Sequence, residues 1–548
     1  MSDSELPPGQ TPFEANPEHD TIRIEGPAPR SGRGPMIAVG IGTAMALIIG
    51  GGAFAFYRID PLHLFRAGPQ AAEAVPADAL AYAAVDLDPA ATQKINALKF
   101  LDHFPGFKDI ADVQDERDDI RKSIITDALD SLDCGGVNYD DTIEPWLGNK
   151  FAFAAMPPAS GSDPEPLVAI EVKDRDAAKE GIDALVNCAD DSGASTSDFG
   201  YSFTGDYVVT ASSQVLADQY AAEASSRSLA DDSDFKADMD AVGDPGVASA
   251  WIDIAGLIDL MPRGMLGSGD FGSPVDEQGL IDLIKSKYSR AAVTLRFSDD
   301  HVDVVSAVQS DDPIDINHGG NEVVGLPDST VFAMSMAGGS DAVAQSWDDT
   351  LKAARAVDAQ IDDQLSQFER QTGFNLPTDL ETLLGDNILF AVDRDGLTPA
   401  AINSGGPGSI NAGARFTGDK AKLDALYDKI TGLMTDLAGE KIPFSKADFD
   451  RGLAVASNDS YAQTLADLDG DLGDSQNFQS VISDAADQDV VMFLNWDLVE
   501  DEILDSVGQF GGGTSKVVDN IRPIRAFGVT ADTQGDYTVS HLVVSVDG

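Results

Sequence analysis

The stretch TIEPWLGNKFAFAA at residues 142–155 occurs a second time, in altered form, as DLETLLGDNILFAV at residues 379–392. The positions that agree are mostly apolar, and each copy keeps one turn glycine, Gly148 or Gly385. Apolar periodicity and turn glycines are what a fold requires. Each glycine is expected to supply a backbone position of positive φ ahead of a core strand. We therefore interpret this stretch as scaffold rather than as an active site.

A similar offset relates further segments in unchanged order, which indicates an internal duplication. The offset is about 240 residues, too long for a solenoid repeat and suited to a duplicated domain. The first further pair, VPADALAYAAV with LPDSTVFAMS, aligns Tyr82 with Phe332. The others are EVKDRDAAKEGIDAL with RFTGDKAKLDALYDKI, YVVTASSQVLADQYAA with GLAVASNDSYAQTLAD, SDFKADM with QNFQSVI, SAWIDIAGLID with FLNWDLVEDEI, and SRAAVTLRFSDDHVDVVSAV with IRAFGVTADTQGDYTVSHLVV.

Each copy combines short apolar strands with helices and ends in a hairpin whose turn contains Asp or Gly. This pattern predicts an α+β fold, with a largely antiparallel sheet in each copy and helices packed on one face. The predicted organisation is a disordered cytoplasmic tail (1–35), a transmembrane helix (36–57), a juxtamembrane linker (58–71), repeat 1 (72–310), a linker (311–322) and repeat 2 (323–548).

The segment MIAVGIGTAMALIIGGGAFAFY at residues 36–57 is uncharged and mostly apolar. It is close to the roughly 20 residues that cross a bilayer as a helix, and it is longer than the apolar run of a signal peptide and lacks a cleavage site. We predict a single-pass protein of the plasma membrane, with the N-terminus cytoplasmic and the bulk of the chain extracytoplasmic. Small residues four apart, such as Gly40 and Ala44, are compatible with a weak homodimer through the span, although small residues are common in spans.

The formal net charge is -57 and the sequence pI is about 4.1. Such a charge repels nucleic acid and anionic membrane surfaces, so no nucleic-acid partner is predicted. A solubilising shell, adaptation to high salt and diffuse cation binding would each produce it, and composition does not choose among them.

The chain has two cysteines, Cys134 and Cys188. An even number in an oxidising compartment predicts one disulfide, and two free buried thiols are the alternative. Two cysteines without a spaced His pair do not make a zinc site.

Sequence motifs for catalysis are missing, so we assign no catalytic residue, cofactor or metal ligand. The six His are scattered, and no Gly-x-Ser-x-Gly elbow occurs. The segment GQFGGGTSK (508–516) lacks the Gly-Lys pair of a phosphate loop. The segment DLDGDLGD (467–474) begins like a calcium loop, but Leu472 and Phe478 occupy the positions of its Gly and Glu, which favours an acidic linker between helices.

Both copies carry a glycine-rich loop with a single aromatic residue before the final hairpin. These residues are Phe271 in Gly-Asp-Phe-Gly and Phe510 in Gly-Gln-Phe-Gly. An apolar ring on such a loop is a candidate partner contact, and a ring folded back into its own core is the alternative.

The motifs VPADALAYAAVDLDP, FLDHFPG, TIEPWLGNKFAFAAMP and PLVAIEVKD after a membrane span resemble the actinobacterial family called domain of unknown function 3352, over residues 72–548. The resemblance implies membrane association and brings no assigned activity. The leading expectation is a non-enzymatic cell-envelope protein that binds or scaffolds an unknown partner. The alternatives are a carrier of a lipid or other hydrophobic ligand, and an enzyme whose site is not visible as a motif.

Overall fold

The computed structural model describes residues 69–87, 91–107, 121–122, 125–126, 129, 136–159, 163–191, 199–260, 276–314, 316, 320–397, 407–438, 444–508 and 515–547. The predicted tail and the predicted span at 36–57 lie outside these residues. Among the residues described, no helix combines the length and apolar character that crossing a membrane requires.

The strands of the first half are β1 (Ala81–Asp86), β2 (Leu147–Met156), β3 (Glu165–Val172), β4 (Gly200–Thr204), β5 (Tyr207–Ala211), β6 (Ala248–Asp253), β7 (Arg290–Phe297) and β8 (His301–Gln309). Those of the second half are β9 (Thr330–Ala337), β10 (Asn387–Asp393), β11 (Ala412–Thr417), β12 (Ser445–Phe449), β13 (Gly452–Ala456), β14 (Val490–Asn495), β15 (Ile524–Gln534) and β16 (Tyr537–Val546).

The helices of the first half are α1 (Ala91–Asp102), α2 (Arg175–Asp191), α3 (Gln214–Ser226), α4 (Ser233–Ala241), α5 (Ile254–Leu260) and α6 (Glu277–Lys287). Those of the second half are α7 (Gly339–Val357), α8 (Ile361–Thr372), α9 (Thr378–Leu384), α10 (Lys420–Ala438), α11 (Asp459–Asp467), α12 (Gln476–Gln479), α13 (Glu500–Gly508) and α14 (Ser515–Ile521).

The strands of the described residues form one antiparallel sheet, in the order β12-β13-β11-β10-β9-β14-β15-β16-β8-β7-β6-β1-β2-β3-β5-β4. The predicted antiparallel α+β fold is confirmed. Read from the outer edge inwards, the strands of the two halves follow the same order. The two halves nevertheless share one sheet, instead of the separate sheet in each copy that the sequence predicts. Their last strands, β8 and β16, pair along their length, with Val305 opposite His541. Without this pairing, β8 and β16 would each be an exposed edge strand; here each edge is hydrogen-bonded to the other.

Strand register shows which residues of the two halves correspond. Tyr82 pairs with Ala154 and Trp251, whereas Ala333 pairs with Ala391 and Phe493. Since Ala391 is the counterpart of Ala154, Tyr82 corresponds to Ala333. The sequence alignment of Tyr82 with Phe332 is therefore wrong by one residue, a slip that moves a side chain to the opposite face of a strand.

Side-chain contacts support the corrected alignment. The ring of Trp251 packs edge-on against Phe235 at 5.7 Å, and the ring of Phe493 packs edge-on against Phe478 at 5.1 Å. Both α3 and α11 begin at a side-chain cap in the same place. Ser213 accepts a hydrogen bond from the Leu216 amide, and Asn458 accepts one from the Tyr461 amide. The paired segments thus build equivalent elements.

Helices cover both faces of the sheet, so the prediction of helices on one face is wrong. Successive strand residues point to opposite faces, and both alternating sets of β2 are apolar. Face 1, which carries Tyr82 and Ala154, packs against α3 in one half and α11 in the other. Face 2, which carries Phe153, packs against α2 in the first half. A strand that is apolar on both sides requires cover on both sides.

A buried carboxylate joins the two halves. Asp238 of α4 is fully buried. It accepts hydrogen bonds from Trp251 Nε1, Arg290 Nε and the Tyr537 hydroxyl, each at 2.7 Å. Burial, followed by the hydrogen bond to Asp238, raises the pKa of Tyr537 to about 12, so this hydroxyl stays protonated as a donor at neutral pH. Three of the four residues belong to the first half and Tyr537 to the second.

The repeated glycine turn is scaffold, but its two glycines act differently. Gly385 ends α9 at φ 52° and ψ -150°, as the sequence predicts. Gly148 lies inside β2 and has no positive φ, so that expectation is wrong. There a Cβ atom would lie 2.6 Å from the side chain of Glu171, and glycine provides the space. Trp146 beside it is buried, and its Nε1 donates to the Thr142 carbonyl at 2.8 Å.

Candidate binding surface on face 2 of the sheet

Face 2 carries an uninterrupted set of apolar side chains on five neighbouring strands of the second half. We call this set the apolar band. Its members are Ile388, Phe390 and Val392 on β10; Phe332, Met334 and Met336 on β9; Val490, Met492 and Leu494 on β14; Phe527, Val529 and Ala531 on β15; and Leu542 and Val544 on β16. The adjoining face-2 position on β16 is Ser540, the one polar residue within these rows.

The apolar band is not packed away as the core is. Four of its members keep more than a third of their surface in solvent: Phe390 37%, Met334 38%, Met492 37% and Leu542 42%. None of its residues belongs to the hydrophobic core clusters of the described chain, and only Ile388 is buried. On face 1 the same strands bury Ala333, Phe493 and Ala526 completely. A contiguous exposed apolar surface of this kind is typical of a binding site.

The central row of the band has a counterpart in the first half that is much less apolar. In the second half, direct pairing links Phe390, Met334, Met492, Val529 and Leu542 across the sheet. The equivalent row of the first half runs Phe153, Ala83, Ala250, Val293 and Ser306. Two methionines and a leucine therefore stand where the first half has two alanines and a serine. Because both halves share one fold, these large side chains are not required by the fold.

One edge of the band is bounded by α10. Beyond Phe390 the central row continues through Ala414 and Val455 to Lys446. The Lys446 ammonium lies 5.1 Å from the ring centre of Tyr427 on α10, which places α10 on face 2. Next to it, α9 packs on α10 and α7 packs on α9. Neither α8 nor α9 has a fully buried residue.

Polar groups bound the band at the ends of β15, whereas β16 continues beyond Val544 to the buried Val546. On β15, Arg525 lies beyond Phe527 at a register irregularity between Ile524 and Ala526, and its guanidinium pairs with Asp497 and Asp547. Beyond Ala531 the next face-2 residue is Thr533. The band is therefore an uncharged strip, three residues wide on most strands, and the guanidinium at its border is already neutralised by carboxylates.

Buried and partly buried ionisable groups elsewhere are used inside the fold. Asp393 accepts from the Ser329 hydroxyl at 2.6 Å and from the Asp395 amide at 2.8 Å, which closes a turn. Burial tends to raise the pKa of Asp303, but His541 and Arg296 outweigh it, so the net pKa is lowered. Among the described residues, no group of three or more His, Cys, Asp or Glu side chains could hold a metal ion.

Three of the four site residues predicted from sequence lie outside the described part of the chain: Cys134, Phe271 and Phe510. Cys188 lies in α2, is partly exposed and is not a free thiol. Its pairing with Cys134 stays a prediction. The acidic segment 467–474 connects α11 to α12, as expected for a linker.

Sequence reasoning missed the apolar band, although a signal for it exists. The strands TVFAMSMA, NILFAVD and VVMFLN are apolar on nearly every residue, which indicates cover on both faces. The sequence does not say whether that cover comes from this chain or from a ligand.

Comparison with known proteins relates most of the chain to a described family. Residues 39–392 match the model of the family described as "Protein of unknown function (DUF3352)". The matched range begins inside the predicted span, includes the first half and ends in β10. No curated protein and no solved structure matches the chain.

Proposed function

Since this chain belongs to the family of proteins of unknown function DUF3352, which brings no activity with it, we propose its function from the apolar band. The protein is a non-enzymatic binding module of the cell envelope. A single N-terminal helix at 36–57 holds it in the plasma membrane, with its bulk outside, and it binds an apolar ligand or partner on face 2. The observation that carries this proposal is the row of Met334, Met492 and Leu542, exposed in the second half and replaced by small residues in the first.

Two further features support a binding role. The band lies on regular strands, which hold a surface more rigidly than loops do. The buried ionisable groups that could suggest an enzyme are engaged in joining the halves or closing turns, as Asp238 and Asp393 are. The acidic surface is consistent with the absence of a nucleic-acid partner.

Methionine oxidation in intact cells tests whether the band is occupied. In the bare structure Met334 and Met492 are more exposed than Met434 of α10, and Met156 is buried. Peroxide should therefore oxidise the two band methionines first and Met156 last. If a ligand covers the band in the native envelope, Met334 and Met492 should react more slowly than Met434. Mass spectrometry of tryptic peptides gives the order of oxidation. If Met334 and Met492 are oxidised before Met434 in cells as well, the proposal is contradicted.

Thiol labelling of intact cells tests location and the disulfide together. We expect a membrane-impermeant maleimide to label the chain only after a reductant has been added, because Cys134 and Cys188 are paired outside the membrane. Labelling without reductant would show free exported thiols and contradict the disulfide. Labelling that requires cell lysis as well as reductant would contradict the extracytoplasmic location. The homodimer through the span stays a proposal, which crosslinking in the membrane would test.

A further inference from the structure

We propose that the apolar band binds the hydrocarbon chain of a lipid whose head group is neutral or cationic. This inference rests on the proposed function and adds the class of ligand. Its basis is the shape of the band, its chemistry, the charge of the molecule and the position of the predicted anchor.

The central row of the band matches a single acyl chain in length. Its central row crosses five strands from Phe390 to Leu542, which at about 4.8 Å between strands is roughly 19 Å. Three face-2 residues along a strand span about 14 Å. One leaflet of a bilayer's hydrocarbon core is about 15 Å thick, so a lipid chain can lie along the row over most of its length.

The chemistry of the band suits a ligand without hydrogen-bonding groups. Its backbone amides and carbonyls are engaged in the ladders between neighbouring strands, so they offer nothing to an extended peptide. The side chains are aliphatic, aromatic or thioether groups. The three methionines, Met334, Met336 and Met492, are adjacent on β9 and β14, and their unbranched side chains adapt to a flexible chain.

Charge narrows the choice of occupant. With a net charge of -57, two copies of this chain repel each other, as do the chain and an anionic membrane surface. Self-association through the band and docking onto an anionic bilayer are both disfavoured. A lipid with a neutral or cationic head group meets no such repulsion. Arg525 at the border does not favour an anionic head group, because Asp497 and Asp547 already neutralise it.

The predicted anchor brings the band close to a source of such chains. The described fold begins at Pro69, and residues 58–68 separate it from the span. Fully extended, these residues reach about 40 Å at most. A fold tethered within that distance of the bilayer encounters membrane lipids at high effective concentration.

Photocrosslinking of the full chain tests the inference. The chain is reconstituted in phosphatidylcholine vesicles containing phosphatidylcholine with a diazirine on its acyl chain, irradiated and digested, and the labelled peptides are identified. We expect labels on β9, β14 and β16 as well as on residues 36–57, which serve as the internal standard. Met334→Asp or Leu542→Asp should reduce labelling of the band about tenfold, because each places a charge against the hydrocarbon.

The first half supplies matched controls. Ala83→Asp and Ser306→Asp add the same charge at the equivalent positions and should leave band labelling within about twofold. Labels confined to residues 36–57 would overturn the inference. Phosphatidylglycerol in place of phosphatidylcholine should lower band labelling, and equal labelling would overturn the head-group preference. If Met334 and Met492 are protected in cells but never labelled by lipid, the ligand class is wrong and the binding function stands.

Discussion

Asp238→Ala is expected to destabilise the protein by about 3–5 kcal/mol, because it removes one partner of a buried ion pair. The variant leaves the partly buried guanidinium of Arg290 without its carboxylate, and it leaves Trp251 Nε1 and the Tyr537 hydroxyl without their acceptor. Since Tyr537 belongs to the second half, the loss should weaken the junction between the halves as well as the first core. The measurement is the free energy of unfolding of the purified chain from chemical denaturation, followed by circular dichroism.

Two variants separate this effect from a general loss of charge. Asp234→Asn removes a largely exposed carboxylate 3.5 Å from the same guanidinium and should cost less than about 1 kcal/mol. Tyr537→Phe removes only the hydrogen bond from the Tyr537 hydroxyl to Asp238 and should cost about 2 kcal/mol. If Asp238→Ala proves no more damaging than Asp234→Asn, the buried carboxylate does not hold the halves together.

Gly385→Ala should destabilise the fold by about 4 kcal/mol, since strain and overpacking act together there. Its φ of 52° and ψ of -150° lie where residues with a side chain are rarely found. A Cβ atom at this position would also lie 2.3 Å from the carbonyl oxygen of Thr417, which belongs to the backbone and cannot move aside easily. We expect a large drop in soluble yield and in the thermal midpoint.

A glycine elsewhere in the same half gives the control. Gly373 also has positive φ, at 73°, but a Cβ atom there would meet nothing within 4 Å. Gly373→Ala should therefore cost about 1 kcal/mol, the price of a left-handed conformation alone. Equal thermal midpoints for the two variants would contradict the view that Gly385 is held by close packing against Thr417.

Much of the fold follows from local patterns in the chain. The repeated segment at 379–392 forms most of α9 followed by β10. The alignment of 207–222 with 452–467 correctly identifies β5 and α3 as the counterparts of β13 and α11. Where the alignment failed, at Tyr82 and Phe332, the neighbouring residues are nearly all apolar. A strand that is apolar on both faces carries little information about its register, and a shift of one residue passes unnoticed.

The candidate site was harder to predict from the sequence than the fold. A single aromatic residue in a glycine-rich segment is a recognisable sequence pattern, and it led to the prediction of Phe271 and Phe510. Both lie outside the described residues and stay predictions. The apolar band is made of ordinary strand residues from five separate segments. Its distinctive property is the contrast between Met334 and Ala83, and that contrast becomes visible only once register identifies the two as equivalent.

By itself, the sequence determined the alternation of strands and helices, the duplication and the turn glycine Gly385, because side-chain periodicity and backbone preference act over a few residues. The tertiary structure alone decided that β8 joins β16, that Tyr537 reaches Asp238, and that four residues of the apolar band stay exposed. The physical reason is that periodicity sets the face to which a side chain points, whereas burial depends on which distant element covers that face.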